Sequence, residues 1–164
     1  MASTAARRGH RARAAQGGTG SVLVLHGPNL NLLGAAHPAR WGTETLAEVD
    51  ARLVEEAARR GVRVSAFQSN HEGALVDRVH AARDEGVRFV IVNPGSLAPA
   101  SVALADALVA VQLPFIAVDL VNRCAVDPVA SRSRLSESAL GTIAGLGSRG
   151  YDFALAFALA QLQG

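Results

Sequence analysis

The sequence predicts an α/β domain: a parallel sheet with helices on both faces. Three observations predict it. Short, nearly unbroken apolar runs recur along the chain, such as SVLVLH (21–26), VRFVIVN (87–93) and LPFIAVDL (113–120). Strands of that kind belong to sheets buried on both sides. Segments of helical periodicity separate them, which is the β-α-β alternation of a parallel sheet. The length of 164 residues suits one domain with a sizeable core.

The elements follow in order. SVLVLH reads as a buried first strand. Thr45 and Glu48 have capping-box spacing and open a helix. In TLAEVDARLVEEAARR, Leu46, Val49, Leu53, Val54 and Ala57 share one face, and Gly61 stops the helix. VRVSAFQS (62–69) is a second strand and HEGALVDRVHAARDEG a second helix. VRFVIVN ends in NPGS; SVALADALVAVQ (101–112) is a helix and LPFIAVDL a fourth strand. A polar loop runs through VNRCAVDPVASRSRLSES. ALGTIAGLG reads as a fifth strand, and YDFALAFALAQL as the last helix. In such sheets a ligand binds beyond the carboxyl ends of the strands. Here those ends are His26–Asn29, Ser69, Asn93–Gly95 and Asp119–Asn122.

Composition narrows the function classes. The chain is 49% hydrophobic and 18% charged, so the body is globular; at 4% aromatic, the core must be Ala, Val, Leu and Ile. The formal charge is +2, and all sixteen basic residues are Arg. Four of them (Arg7, Arg8, Arg11, Arg13) lie in an acid-free stretch, 1–20, which reads as a flexible tail. Without those four, the remaining arginines against fourteen acids leave the 21–164 domain at −2. Nucleic acid is therefore not an expected partner. No apolar run approaches the length of a membrane span. The one cysteine, Cys124, excludes an intramolecular disulfide and suits a cytoplasmic location. No His, Cys or Asp spacing reads as a metal site.

Four segments in register resemble one family. GPNLNLLG (27–34), QSNHEG (68–73), NPGSLAPASVALADAL (93–108) and GLGSRGY (145–151) are similar to the signature segments of type II 3-dehydroquinate dehydratase. The resemblance implies a flavodoxin-like fold with a five-stranded doubly wound sheet. It implies a homo-oligomer, a trimer or trimers assembled into a dodecamer. It also implies loss of water from a cyclic hydroxyketone through an enolate, without metal or cofactor. Of the family's site the chain retains Asn29, Asn93, Gly95, Asp106 and Asn122, with Asn29 and Asn93 implied to bind an ordered water and the substrate and Asp106 to reach a neighbouring subunit's site.

The same resemblance shows departures. The lid after GPNLNLLG should carry an Arg and then a Tyr base; here those positions are Ala36 and Trp41. A substrate-binding His is replaced by Pro99. The strand end reads Ala117-Val118-Asp119 where the family has Glu-Val-His, with Val121 in place of a Ser and Ala130 in place of an Arg. Indole only donates, so Trp41 cannot act as a base. These changes predict a wider, more apolar pocket for a larger ligand.

Each candidate has a chemical and a plain reading. Asp119 is either a general acid or base or a carboxylate bonded to its own loop. His26 is either a base at the first strand end or a structural histidine. Trp41 either stacks on a flat ligand or packs on its own subunit. His37 and Arg40 either swing into the site from the lid or stay solvated, and Arg123 and Arg132 either replace the missing Arg or stay in water. Asn29 and Asn93 serve a ligand, the turns, or both.

The expectation is a cofactor-independent lyase or cyclase, repurposed toward a larger and less polar small molecule in a biosynthetic route. Asp119, His26 and Trp41 would be catalytic, with Asn29, Asn93, Gly95, Ser96, Asp106, Asn122 and His37 binding substrate. A genuine 3-dehydroquinate dehydratase and a non-catalytic binding or scaffolding homologue remain as alternatives.

Overall fold

The computed structural model describes residues 20–126 and 133–164. The 1–20 tail, apart from Gly20, and the positions of Ala130 and Arg132 lie outside them. The described elements are β1 (Ser21–His26), α1 (Pro38–Trp41), α2 (Leu46–Arg59), β2 (Arg63–Gln68), α3 (Glu72–Asp84), β3 (Phe89–Asn93), α4 (Val102–Ala110), β4 (Phe115–Asp119), α5 (Arg123–Val126), α6 (Arg134–Ser138), β5 (Gly141–Ala144) and α7 (Arg149–Gln163). The strands form one parallel sheet in the order β2-β1-β3-β4-β5. From β1 the chain steps outward to β2, then crosses back to β3 on the other side. The strand order therefore reverses between β1 and β3, which is where such sheets bind ligands.

Strand parity sorts the core into two layers. Val22 and Val24 of β1, Phe89 and Ile91 of β3 and Ile116 and Val118 of β4 face α2 and α7. There they meet Val49, Leu53, Ala57, Ala154, Leu155 and Ala158. Leu23, Leu25, Val90, Val92 and Phe115 face the opposite layer, against Leu75, Val79, Leu104, Leu108 and Leu135 of α3, α4 and α6. Successive side chains point to opposite faces, so unbroken apolar strands fill both layers.

Local signals hold where chemistry is local. The Thr45 amide donates to Glu48 at 2.8 Å, and the Glu48 amide donates back to the Thr45 hydroxyl at 3.3 Å. The reciprocal pair satisfies two donors that the helix start would otherwise leave free. That bond from the Thr45 backbone also holds the Glu48 carboxyl below its ordinary value.

Three expectations need correction. Val54 was assigned to the buried face of α2 but is 44% exposed, because the buried stripe is the narrower Val49, Leu53, Ala57. The fifth strand is only four residues long. The Gly145 amide makes the last ladder bond, to the Asp119 carbonyl at 3.1 Å, and the Gly147 amide then turns back to the Leu120 carbonyl at 3.0 Å. The lid and the polar loop, both expected without regular structure, carry the short helices α1, α5 and α6. No described helix is long and apolar enough to cross a membrane.

Candidate active site

Two tight loops meet at the point where the strand order reverses. β1 and β3 end side by side, with His26 opposite Asn93. The Gly27 amide then donates to the Asn93 carbonyl at 2.8 Å. A Cβ at Gly27 would lie 2.2 Å from the Pro94 oxygen. A Cβ at Gly95, whose φ is +56°, would lie 2.8 Å from the Pro28 oxygen. GPN and NPG thus pack backbone against backbone, and only glycine fits either position. Asn29 takes the left-handed conformation, φ 68°, and its amide donates to Asn70 Oδ1 at 2.9 Å. Its turn role is real, and its side chain still faces the cavity that these loops enclose.

That cavity holds about 190 Å³. Asn29 and Leu30 come from the loop after β1, and Asn93, Gly95 and Ser96 from the end of β3 and the loop after it. Arg40 and Trp41 come from α1, and Asp119, Val121 and Arg123 from the end of β4 and α5. Arg123 forms an ion pair with Asp119, and its Nη2 donates to the Gly95 carbonyl at 2.9 Å. Asp119 also accepts the Val121 amide at 3.1 Å. The guanidinium therefore ties β4 to the NPG loop across the cavity wall. Among the described residues no group of three or more His, Cys, Asp or Glu could hold a metal ion.

The cavity is smaller than drug-sized pockets, which run to roughly 300 Å³ and above, and Arg40, Arg123, Asp119, Asn29 and Asn93 stand among its lining residues beside Leu30, Trp41, Leu120 and Val121. Arg123 supplies a cation where the sequence comparison left none, and Arg40 of the lid lines the wall.

His26 is corrected as well. It does not line the cavity. It is fully buried, with Nε2 2.8 Å from Asp50 Oδ1 and Nδ1 2.9 Å from the Tyr151 hydroxyl. The signal was parity: His26 shares a face with Val22 and Val24, so it points beneath α2 and α7. His37 also stays off the cavity wall and meets Trp41 edge-on, ring centroids 5.4 Å apart. Trp41 is half-buried, packs against the α2/α7 core and also lines the cavity. Asp106, on α4, is exposed and off the cavity, as is Asn122. The side chain of Cys124 is not among those described.

The Dehydroquinase class II family model matches residues 20–159 of the chain. A 3-dehydroquinate dehydratase of Ralstonia pickettii is 54% identical over 141 residues, 86% of this chain and 91% of that protein. The chain belongs to the class II dehydroquinase family. Solved structures agree. The type II dehydroquinase of Propionibacterium acnes superposes with a TM-score of 0.81 at 36% identity, covering 87% of this chain and 97% of that one. The type II dehydroquinase of Butyrivibrio crossotus gives 0.82 at 30% identity, covering 90% and 100%. The sheet order β2-β1-β3-β4-β5 is the flavodoxin-like arrangement that the family resemblance implied. In this dehydroquinase-family chain the cavity lies at the carboxyl ends of β1, β3 and β4.

Proposed function

We propose that the chain binds 3-dehydroquinate, or a close relative of it, and removes water from it without metal or cofactor. The observation that carries this reading is the small cavity with Arg40, Arg123 and Asp119 on its wall, in a chain 54% identical to a 3-dehydroquinate dehydratase. A small polyhydroxy acid needs its carboxylate and hydroxyls paired, and an apolar pocket would leave them unpaired at a heavy cost. A guanidinium presents a fork of donors that matches a carboxylate. Arg40, which has no ion pair among the described residues, is the clamp; Arg123 is engaged by Asp119 and Gly95.

Asp119 is the carboxylate on the cavity wall and the group that accepts the proton. The C–H bond next to the ketone breaks, its proton passes to Asp119, and the electron pair forms the enolate. The enolate then restores the carbonyl as the C–O bond of the β-hydroxyl breaks. The departing hydroxide takes up the proton held by Asp119 and leaves as water, which returns Asp119 to its carboxylate. Asn29 and Asn93 offer donors to the enolate and hydroxyl oxygens. Trp41 closes the cavity and excludes water but transfers no proton. The working unit is a homo-oligomer of the family kind, trimer or dodecamer.

The test mixes purified protein with 3-dehydroquinate and follows the ultraviolet absorbance of the conjugated enone, with binding measured by calorimetry. Binding with turnover that Asp119→Asn lowers about 100-fold or more supports the reading. Trp41, at the position where the family resemblance implies the Tyr base, favours a second reading: a binding homologue without turnover. Tight binding with no enone formed would establish that second reading. Absence of both would return the search to larger, flatter substrates against Trp41.

A further inference from the structure

Beneath the cavity, the end of β1 carries a chain of polar side chains. Asp50 of α2 lies 2.8 Å from Nε2 of His26, and Nδ1 of His26 lies 2.9 Å from the Tyr151 hydroxyl of α7. Tyr151 lies beside the Asn93 amide, and Asn93 lines the cavity. His26 and Tyr151 are fully buried and Asn93 is 2% exposed, whereas the Asp50 side chain is 27% exposed. The chain thus runs from the surface to the cavity floor.

Donor and acceptor rules give it a direction. An ionised carboxylate only accepts, so Nε2 of His26 carries a proton. With the ring neutral, Nδ1 is the acceptor and the phenol donates to it. Burial pushes the phenol above its ordinary value, and the Asn93 amide works the other way. The phenol oxygen keeps its lone pairs for Asn93 Nδ2, which has no hydrogen bond of good geometry among the described residues. Asn93 Oδ1 takes the Gly95 amide at 3.1 Å. The two ends of the Asn93 amide therefore face partners of opposite kind, which fixes its orientation.

We infer that His26 is a positioning residue: held by Asp50, it aims the Tyr151 hydroxyl away from Asn93 and so keeps the Asn93 nitrogen as a donor at the cavity floor. That nitrogen, buried and without a hydrogen-bond partner among the described residues, is left for an acceptor oxygen of the ligand, such as the carbonyl of a cyclic hydroxyketone. Only the affinity arm of the test rests on the function proposed above.

The chain has a single tyrosine, so the tyrosine Fermi doublet in the Raman spectrum of the whole protein reports Tyr151 alone. The wild type should show a phenol that donates. Asp50→Ala, which frees the imidazole to change tautomer, should shift the doublet toward an accepting phenol. It should also weaken 3-dehydroquinate binding about 3- to 10-fold, the worth of one misdirected neutral hydrogen bond. Asp50→Asn still accepts from Nε2 and should keep both near wild type. Tyr151→Phe should show the same loss of affinity as Asp50→Ala. An accepting phenol in the wild type overturns the inference. So does a doublet that Asp50→Ala leaves unmoved, or an affinity that neither Asp50→Ala nor Tyr151→Phe changes. If the wild type binds no 3-dehydroquinate, the proposed function fails, and the doublets of wild type, Asp50→Ala and Asp50→Asn decide the inference by themselves.

Discussion

Raising the pH through the range where a free phenol ionises probes the core around Tyr151 directly. Its ordinary value is 10.0, and complete burial pushes it well above that in the folded chain. The unfolded chain releases the phenol proton near pH 10, while the folded chain keeps it. Above that point the folded state holds one more proton than the unfolded state, so stability falls as pH rises. Below it both states are protonated and this residue adds no slope. One proton corresponds to about 1.4 kcal/mol per pH unit, or roughly 2 kcal/mol between pH ~10 and ~11.5. The background is unusually clean: every basic side chain is Arg, so no lysine titrates there, and a cysteine thiol ordinarily ionises near ~8.5. Urea unfolding across this range, in wild type and in Tyr151→Phe, isolates the effect. The wild type should lose stability with that slope, and the variant should not. Tyrosinate absorbance should rise only as the protein unfolds. Tyrosinate appearing near pH 10 with the circular dichroism of the folded state intact would refute the burial argument. Equal slopes in the two proteins would do the same.

Other substitutions probe the site and its scaffold. Trp41→Tyr places a titratable phenol on the cavity wall and should raise enone formation from 3-dehydroquinate at least about tenfold by adding a proton-transfer group; an unchanged rate would mean the α1 position does not reach the reacting carbon. Gly27→Ala drives a methyl to 2.2 Å from the Pro94 oxygen, a backbone atom that cannot move alone. It should destabilise by roughly 3 kcal/mol, seen as a fall in the urea midpoint without a change in slope. Thr45→Ala removes one half of the capping box on α2. It should cost about 1 kcal/mol, a fall in Tm of some 2–4 °C by calorimetry.

Much of the fold was legible because its determinants are local. SVLVLH occupies β1 residue for residue, and the Thr45–Glu48 pair caps α2 with the reciprocal bonds its spacing implies. The lid was less legible. Four residues, Pro38–Trp41, form a helical turn after a left-handed His37, and no periodicity can show in so short a run. The cation of the site was weighed but not placed. Arg123 looks like any arginine of a polar loop; its ion pair with Asp119, four residues earlier, is local, and the long-range bond to the Gly95 carbonyl fixes it on the wall.

Strand parity explains why two titratable residues at two strand ends have different fates. His26 closes a run in which Val22 and Val24 face α2 and α7, so its ring enters the layer holding Asp50 of α2 and Tyr151 of α7. A polar ring there must satisfy both nitrogens internally, and it does. Asp119 closes a run in which Ile116 and Val118 face that same layer, which sends its own side chain to the other side of the sheet. There it meets a cation and the cavity. Counting by twos from the buried valines would have separated the two from sequence alone. A strand-end position nominates a residue for the site, and for His26 and Asp119 parity separates the one buried beneath α2 and α7 from the one on the cavity wall.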